Sequence, residues 1–444
     1  MKKSLLWVVV LVLSISMIVA FSLAGCKTTT AAETTAAAET TAAAETTAAA
    51  ETTAEEEIVE IKLALWAAGD IPEEYQKQVD RFNSQQNKIK VDIATFSSGD
   101  AYNQALMGQI AAGVAPDVFL IDGGIQIMQF AEADAILALD ELVEMQGLDI
   151  TNFQESLIAG SKMNGKLFGI PKDYNTTALF YHEDLFKEAG VEPPENWDDL
   201  KEAAKTLTNE DHFGFGIAPQ INYYLPFIES AGAHFVSEEG INTENFVTKE
   251  HIEAIDYLLT LFTRDKSAAS PQMVAASWDG EMFGNKQVAM VFGGTWIPGS
   301  VLSQNPDLKV GVLPLPVKNE ESSVLYTTSW VISSKSEYPE AAMELISFLT
   351  SDEELVLGYQ AGINGLPSTK TGMQKLIEEK QGDKFLEVYA EVVKNGTPWG
   401  WLAPTFVDKY NEMLEVLLSN PNPEKEDISK ALNDLLDVLK ALEG

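Results

Sequence analysis

The sequence predicts an α/β protein built on mostly parallel sheet flanked by helices. Three observations predict it. From residue 61 onward, short β-branched runs alternate with longer runs whose apolar residues recur at helical spacing. Gly- and Asp-containing turns separate these runs. After a short apolar run and a Thr/Ala/Glu-rich stretch at the N-terminus, about 390 residues remain, enough for two domains.

The elements follow in order. Ile61, Leu63 and Leu65 alternate with Lys62, Ala64 and Trp66, a strand ending at Trp66. Ile71, Tyr75, Val79 and Phe82 recur at helical spacing, and Ile89, Val91 and Ile93 form a second strand. A helix from about Asp100 carries Tyr102, Leu106 and Ile110 and stops at Gly113. The strand Val118 to Ile121 then runs into Asp122-Gly123-Gly124. Strand–helix–strand–helix–strand implies parallel pairing, and ligands of open α/β sheets sit beyond the carboxyl ends of such strands. Trp66, Asp70 and Asp122 lie at those ends.

Further strands are expected at Lys166–Ile170, Tyr174–Tyr181, Phe213–Ile217, Val288–Phe292 and Tyr326–Ser333. Helices are expected from Trp197 and over Glu250–Thr263, Pro339–Leu349 and Pro404–Leu418. Leu313-Pro314-Leu315-Pro316 reads as turn-rich.

The N-terminus reads as an export signal. Lys2 and Lys3 precede an apolar run from Leu5 to Phe21, too short for a comfortable membrane span. The run ends in Leu23-Ala24-Gly25-Cys26, which resembles a lipoprotein cleavage box, with residues 1–25 removed and Cys26 acylated. Cys26 is the only cysteine, so the mature chain has no disulfide and no cysteine metal site. Residues 26–57 contain repeated Glu-Thr-Thr-Ala-Ala-Ala units and read as a solvated tether.

Charge narrows the partners. The net charge of −37 becomes −39 once Lys2 and Lys3 leave, which disfavours nucleic acid and anionic headgroups. Arg81 and Arg264 are the only arginines, so a pocket built on bidentate recognition of phosphate or carboxylate is also disfavoured. A neutral or cationic ligand fits better. Catalytic motifs are missing: there is no phosphate-cradling loop, no Gly-x-Ser-x-Gly elbow and no His-Glu-x-x-His pair. The four histidines, 182, 212, 234 and 251, are scattered, so no metal or other cofactor is expected.

The segment Gly165-Lys166-Leu167-Phe168-Gly169-Ile170-Pro171, followed by Asp173-Tyr174-Asn175-Thr176-Thr177-Ala178-Leu179-Phe180-Tyr181, resembles the signature of the family 1 extracellular solute-binding proteins. These are sugar-type receptors of ABC importers. His182 departs from the Asn or Asp usual at its position. Trp66-Ala67-Ala68-Gly69-Asp70, Ala115-Pro116-Asp117-Val118-Phe119, Val288 to Trp296 and Gly365-Leu366-Pro367 resemble other family segments in the same order.

The resemblance implies a two-lobed periplasmic-binding-protein-like fold of type II. Residues 58–174 and 290–329 would form the N-terminal lobe, and 175–289 and 330–444 the C-terminal lobe. Strands would cross between lobes near Asp173–Thr177, Phe292 and Trp330, with the ligand in the cleft. It also implies a monomeric, non-enzymatic receptor on the outer face of a bacterial cytoplasmic membrane. That receptor would capture a di- or oligosaccharide and deliver it to the permease subunits of an ABC transporter.

A sugar offers apolar faces to aromatic rings and a rim of hydroxyls to carboxylates and amides. By local match, Trp66, Asp70, Asp122, Tyr174, Asn175, Tyr223, Tyr224 and Trp296 are expected at or beside ligand contacts, with Trp399 and Trp401 adding stacking rings. Asp173, Trp278 and Trp330 are further candidates. The competing readings are core packing for the aromatics and helix capping for Asp70 and Asp122. Competing functions are a receptor for a polyamine, peptide or glycerol phosphodiester, a surface glycoside hydrolase, and a stalked adhesin.

Overall fold

The computed structural model describes residues 58–66, 71–96, 99–237 and 239–443. The leader, Cys26, the tether and Asp70 therefore lie outside the described residues.

Eleven strands form one sheet. They are β1 (Val59–Trp66), β2 (Ile89–Phe96), β3 (Val118–Asp122), β4 (Ile170–His182), β5 (Phe213–Gly216), β6 (Ala268–Ala269), β7 (Val288–Gly294), β8 (Val310–Leu313), β9 (Ser323–Ile332), β10 (Leu366–Pro367) and β11 (Gly396–Pro398). The order is β6-β5-β7-β4-β9-β3-β1-β2; β8 and β10 also pair with β4, and β11 with β9. The outer pairs are parallel: β1 with β2 and β3, and β5 with β6 and β7. The strands that meet in the middle, where the chain crosses between the two ends of the sheet, are antiparallel.

The helices used below are α1 (Ile71–Gln85), α2 (Gly99–Ala112), α3 (Ile125–Glu132), α4 (Trp197–Leu207), α5 (Ile221–Ser230), α6 (Lys249–Thr263), α7 (Asp279–Gly284), α8 (Trp296–Gln304), α9 (Pro339–Leu349), α10 (Pro404–Ser419) and α11 (Lys425–Glu443). Local chemistry sets several starts. The Asn196 side chain accepts from the Asp199 N–H at the head of α4, and Thr248 from the His251 N–H at the head of α6. Pro339 and Pro404 occupy first turns, where the missing N–H costs nothing.

β4 organises the molecule. Ile170 to Thr176 pair with β9, and Asp173 and Tyr174 also with β10. From Thr177 onward the strand pairs instead with β7, and from Leu179 also with β8. One strand thus changes all its neighbours at Thr176–Thr177, so a single backbone crosses from one half of the sheet to the other.

Packing follows the same division. Ile61, Val91, Leu120 and Ile170 share a core with Trp330, Ile332 and the α9 residues Met343, Leu345 and Ile346. A second large core joins Trp197, Phe215, Phe227 and Leu258 to Met290, Phe292, Leu315 and Val324, and to Leu414 and Leu432. This corrects the expected apportioning of the last third. Met290, Phe292, Leu315 and Val324 contribute to the second core and Val291, Ile297, Val301 and Val312 to a third one shared with Tyr174 and Leu366, whereas Trp330, Ile332 and the α9 residues belong to the first. The direction of β9 explains it: the strand leaves the second half near Val324 and has reached the first by Trp330.

The crossing is pinned by a buried ion pair. Opposite Thr328 and Ser329, β4 carries one extra residue, Lys172, a bulge that turns its side chain inward. Lys172 Nζ donates to Asp173 Oδ2 and, at 3.1 Å, to the Ile363 carbonyl, while the Tyr75 hydroxyl donates to that same carbonyl at 2.7 Å. The Gly365 N–H and the Thr328 hydroxyl donate to the Asp173 carboxylate at 2.8 and 3.2 Å. The Gly365-Leu366-Pro367 segment is therefore held to β4 through Asp173.

Candidate functional site

A cleft of about 350 Å³ opens beside the crossing, lined by Asp122, Gly123, Gln126, Tyr326, Trp399 and Gly400 among others. Three rings touch in succession. Trp296, at the head of α8, meets Tyr326 edge-on with centroids 5.3 Å apart, and Tyr326 meets Trp399 at 6.1 Å. Such an array offers apolar faces to a flat ligand while its polar tips stay available.

Backbone geometry seats two of these rings. A β-carbon on Gly294 would come within 2.2 Å of the Trp296 indole, so that indole lies flat on the end of β7 because residue 294 is glycine. At Gly400 a β-carbon would come within 1.8 Å of the Gly123 carbonyl oxygen. The Asp122-Gly123-Gly124 turn thus packs backbone to backbone against the Trp399 loop.

Polar groups surround the rings. Asn222 Nδ2 donates to the Tyr326 hydroxyl at 3.0 Å, which fixes that ring from α5. Tyr223, next on the helix, is buried beside Asp279. Burial raises the Asp279 carboxyl above the ordinary range, opposed by the Tyr223 hydroxyl. Burial and the nearby Asp279 charge both raise Tyr223. In the cleft lining, Gln126 Nε2 donates to Asp122 Oδ2 at 3.2 Å, and the Asp122 N–H donates to Gln126 Oε1 at 3.1 Å. Neighbouring protein raises the Asp122 carboxyl too, although the side chain remains open to the cleft. At the crossing, the Thr295 hydroxyl donates to Asn175 Oδ1 at 3.2 Å.

The sequence expectations divide against this geometry. Asp122 and Trp399 line the cleft; Trp296 stands next to it, edge-on to the lining residue Tyr326, and Asn175 and Tyr223 lie on the neighbouring strand and helix. Trp66 ends β1, half-buried against Tyr102 at 5.2 Å. Trp401 is half-buried in the turn after Trp399 and does not line the cleft.

Five of the expected contacts lie away from the cleft. Tyr174 is fully buried because strand alternation points it away from Asn175. Tyr224 is fully buried because one helical step turns it from Tyr223 into the second core. Trp330 lies four residues beyond Tyr326, roughly 13 Å along β9, and is buried in the first core. Asp173 spends its carboxylate on Lys172, Gly365 and Thr328. Trp278 lines a separate pocket with Glu281 and Asn305, its indole resting on Gly280.

Sequence reasoning missed Gln126, Asn222, Asp279 and Tyr326. Asn222 was signalled by adjacency to the Tyr pair; Gln126, in the first turn of α3 just after the Asp122-Gly123-Gly124 turn, carried no signal of its own. Tyr326 and Asp279 carried no local signal. Among the described residues, no group of three or more His, Cys, Asp or Glu side chains could hold a metal ion, and no helix is long and apolar enough to cross a membrane.

Comparisons with known proteins agree on the family. Residues 68–355, more than half of the chain, match the model of the bacterial extracellular solute-binding proteins. A Brucella abortus binding protein is 27% identical over 263 residues, covering 56% of this chain and 62% of that protein. The chain thus spans less than two thirds of that relative. An arabinooligosaccharide-binding protein of Bacillus subtilis is 24% identical over 310 residues, covering 66% of this chain and 70% of that one. In three dimensions the chain resembles an ABC substrate-binding protein of Listeria monocytogenes, solved in complex with cycloalternan. That match has a TM-score of 0.69 and 22% identity, covering 86% of this chain and all of that one. The two-lobed fold is shared, and the chain belongs to the bacterial extracellular solute-binding protein family.

Proposed function

We propose that the protein is the extracytoplasmic receptor of an ABC importer, and that it captures an oligosaccharide between its lobes and delivers it to the permease. The observation that carries this reading is the cleft lined by Tyr326, Trp399, Asp122 and Gln126 at the strand crossing, with Trp296 in ring contact with Tyr326. Successive rings suit successive sugar faces, and carboxyl and amide groups suit the hydroxyl rim. The named specificities of the Bacillus and Listeria proteins support the same class of ligand. Trp296, Trp399, Tyr326, Asp122, Gln126, Asn222 and Asp279 are the proposed contacts, with Asn175 and Tyr223 supporting them.

Acylation at Cys26 and the tether over residues 26–57 would hold the receptor at the outer face of the membrane as a monomer. The reading treats the protein as a binding component without chemistry of its own. A melting-shift screen tests it, using malto- and arabino-oligosaccharides, cyclic glucans, polyamines, peptides and glycerol phosphodiesters, with the ligand recovered afterwards. A saccharide should raise the melting temperature and be recovered intact. A shift by polyamines alone, or recovery of cleaved saccharide, would overturn the reading.

A further inference from the structure

Glu229 is a buried carboxylate, 4% exposed, near the end of α5. It faces no lysine or arginine within hydrogen-bonding distance among the described residues. Two hydroxyls satisfy it instead: Thr397 Oγ1 donates to Oε1 and Ser322 Oγ to Oε2, each at 2.7 Å. An ionised carboxylate only accepts, so two hydroxyl donors are the complement it requires. Burial pushes this carboxyl up, and the two hydroxyl bonds oppose that.

The two donors occupy informative places. Ser322 immediately precedes β9, and Thr397 is the middle residue of β11. β9 and β11 run parallel, with Ser323 opposite Gly396 and Val324 opposite Thr397, so Glu229 clamps the start of that ladder. Beyond the clamp, β9 delivers Tyr326 and β11 delivers Trp399, whose rings meet. Asn222, which holds the Tyr326 hydroxyl, lies seven residues before Glu229 on α5, two turns away on the same helical face. One face of one helix therefore grips both ring-bearing strands, at the hydroxyl of one ring and at the root of the other.

We propose that Glu229 is a positioning residue for the ligand cleft, setting the distance between Tyr326 and Trp399 through Thr397 and Ser322. This rests on the saccharide reading only for what the rings contact; the clamp itself is a property of the empty protein. Removing the carboxylate leaves the buried Ser322 hydroxyl and the half-buried Thr397 hydroxyl without their acceptor and frees the Trp399 segment from α5. A glutamine, with one acceptor and one donor group, can keep both partners once a hydroxyl rotates.

The test compares wild type with Glu229→Ala, Glu229→Gln and Thr397→Val, all as full chains. Amide hydrogen exchange of the unliganded proteins is followed over residues 396–402, with β1–β3 as internal reference. Affinity is then measured for the oligosaccharide giving the largest melting shift with wild type. Glu229→Ala and Thr397→Val should each speed exchange in 396–402 while sparing β1–β3, and weaken affinity about tenfold. Glu229→Gln should restore both. Unchanged exchange in Glu229→Ala, equal acceleration throughout the chain, or failure of glutamine to rescue would overturn the proposal, as would local loosening with unaltered affinity. If no saccharide binds wild type, the functional reading fails, and the exchange comparison still decides whether the clamp exists.

Discussion

Trp296 keeps 39% of its surface open while resting on Gly294 and meeting Tyr326, an arrangement that leaves an indole face to be covered by something else. Trp330, 1% exposed, has no such face left. The two tryptophans predict opposite outcomes. Trp296→Ala should weaken saccharide binding about tenfold in calorimetry with little change in melting temperature. Trp330→Ala should lower stability by about 3–5 kcal/mol in denaturant titration and leave affinity per folded molecule unchanged. Asp173→Ala strands Lys172 in the interior and should also cost about 3–5 kcal/mol, without altering which ligands bind.

Another residue-level prediction concerns pH. The buried His251 donates from Nδ1 to the Phe246 carbonyl at 2.6 Å, and Nε2 accepts from the Tyr410 hydroxyl at 2.5 Å. Burial pushes its pKa down to about 4, so the folded state binds this proton more weakly than the unfolded chain does. Its contribution is complete above the unfolded value near 6.5 and is lost as pH falls toward 4, on the order of 3 kcal/mol in all. His182, also near 4, acts in the same direction, whereas the raised carboxyls of Asp122, Glu229 and Asp279 act oppositely. The direct check is a difference measurement. The stability advantage of wild type over His251→Gln should shrink between pH 7 and pH 4; an advantage that grew would contradict the assignment.

At the scale of elements, β4 and the loops around it decide what the cleft can be. The strand was legible in the sequence because its apolar positions and the signature motif overlap. Its change of partners at Thr176–Thr177 was not, since alternation records which face a residue occupies and not which strand lies alongside. The same limit explains Tyr174 and Tyr224. Each adjoins a residue beside the cleft, and only the orientation of the strand or helix separates the two. The Trp399 loop was legible from Pro398 and Gly400 as an exposed turn, but its contact with Gly123 depends on two backbones distant in sequence. Gly400→Ala should push these backbones apart and weaken ligand binding about tenfold, while thermal unfolding stays cooperative. Binding equal to wild type would show that the contact does not shape the cleft.

At the scale of the whole molecule, two packed halves share one sheet, and the cleft lies where their strands cross. The α/β class was legible from periodicity. That Met290, Phe292, Leu315 and Val324 pack in a different core from Trp330, Ile332 and the α9 residues was not, because it depends on the direction in which β9 runs. On this account the ligand is held at that crossing by the rings of Trp296 and Trp399. The most direct test of that claim is calorimetric titration with oligosaccharides, with wild type and a Trp296→Ala/Trp399→Ala variant run side by side. One saccharide per chain bound by wild type and lost in the folded variant is the predicted result. Equal saccharide binding by both proteins would contradict it.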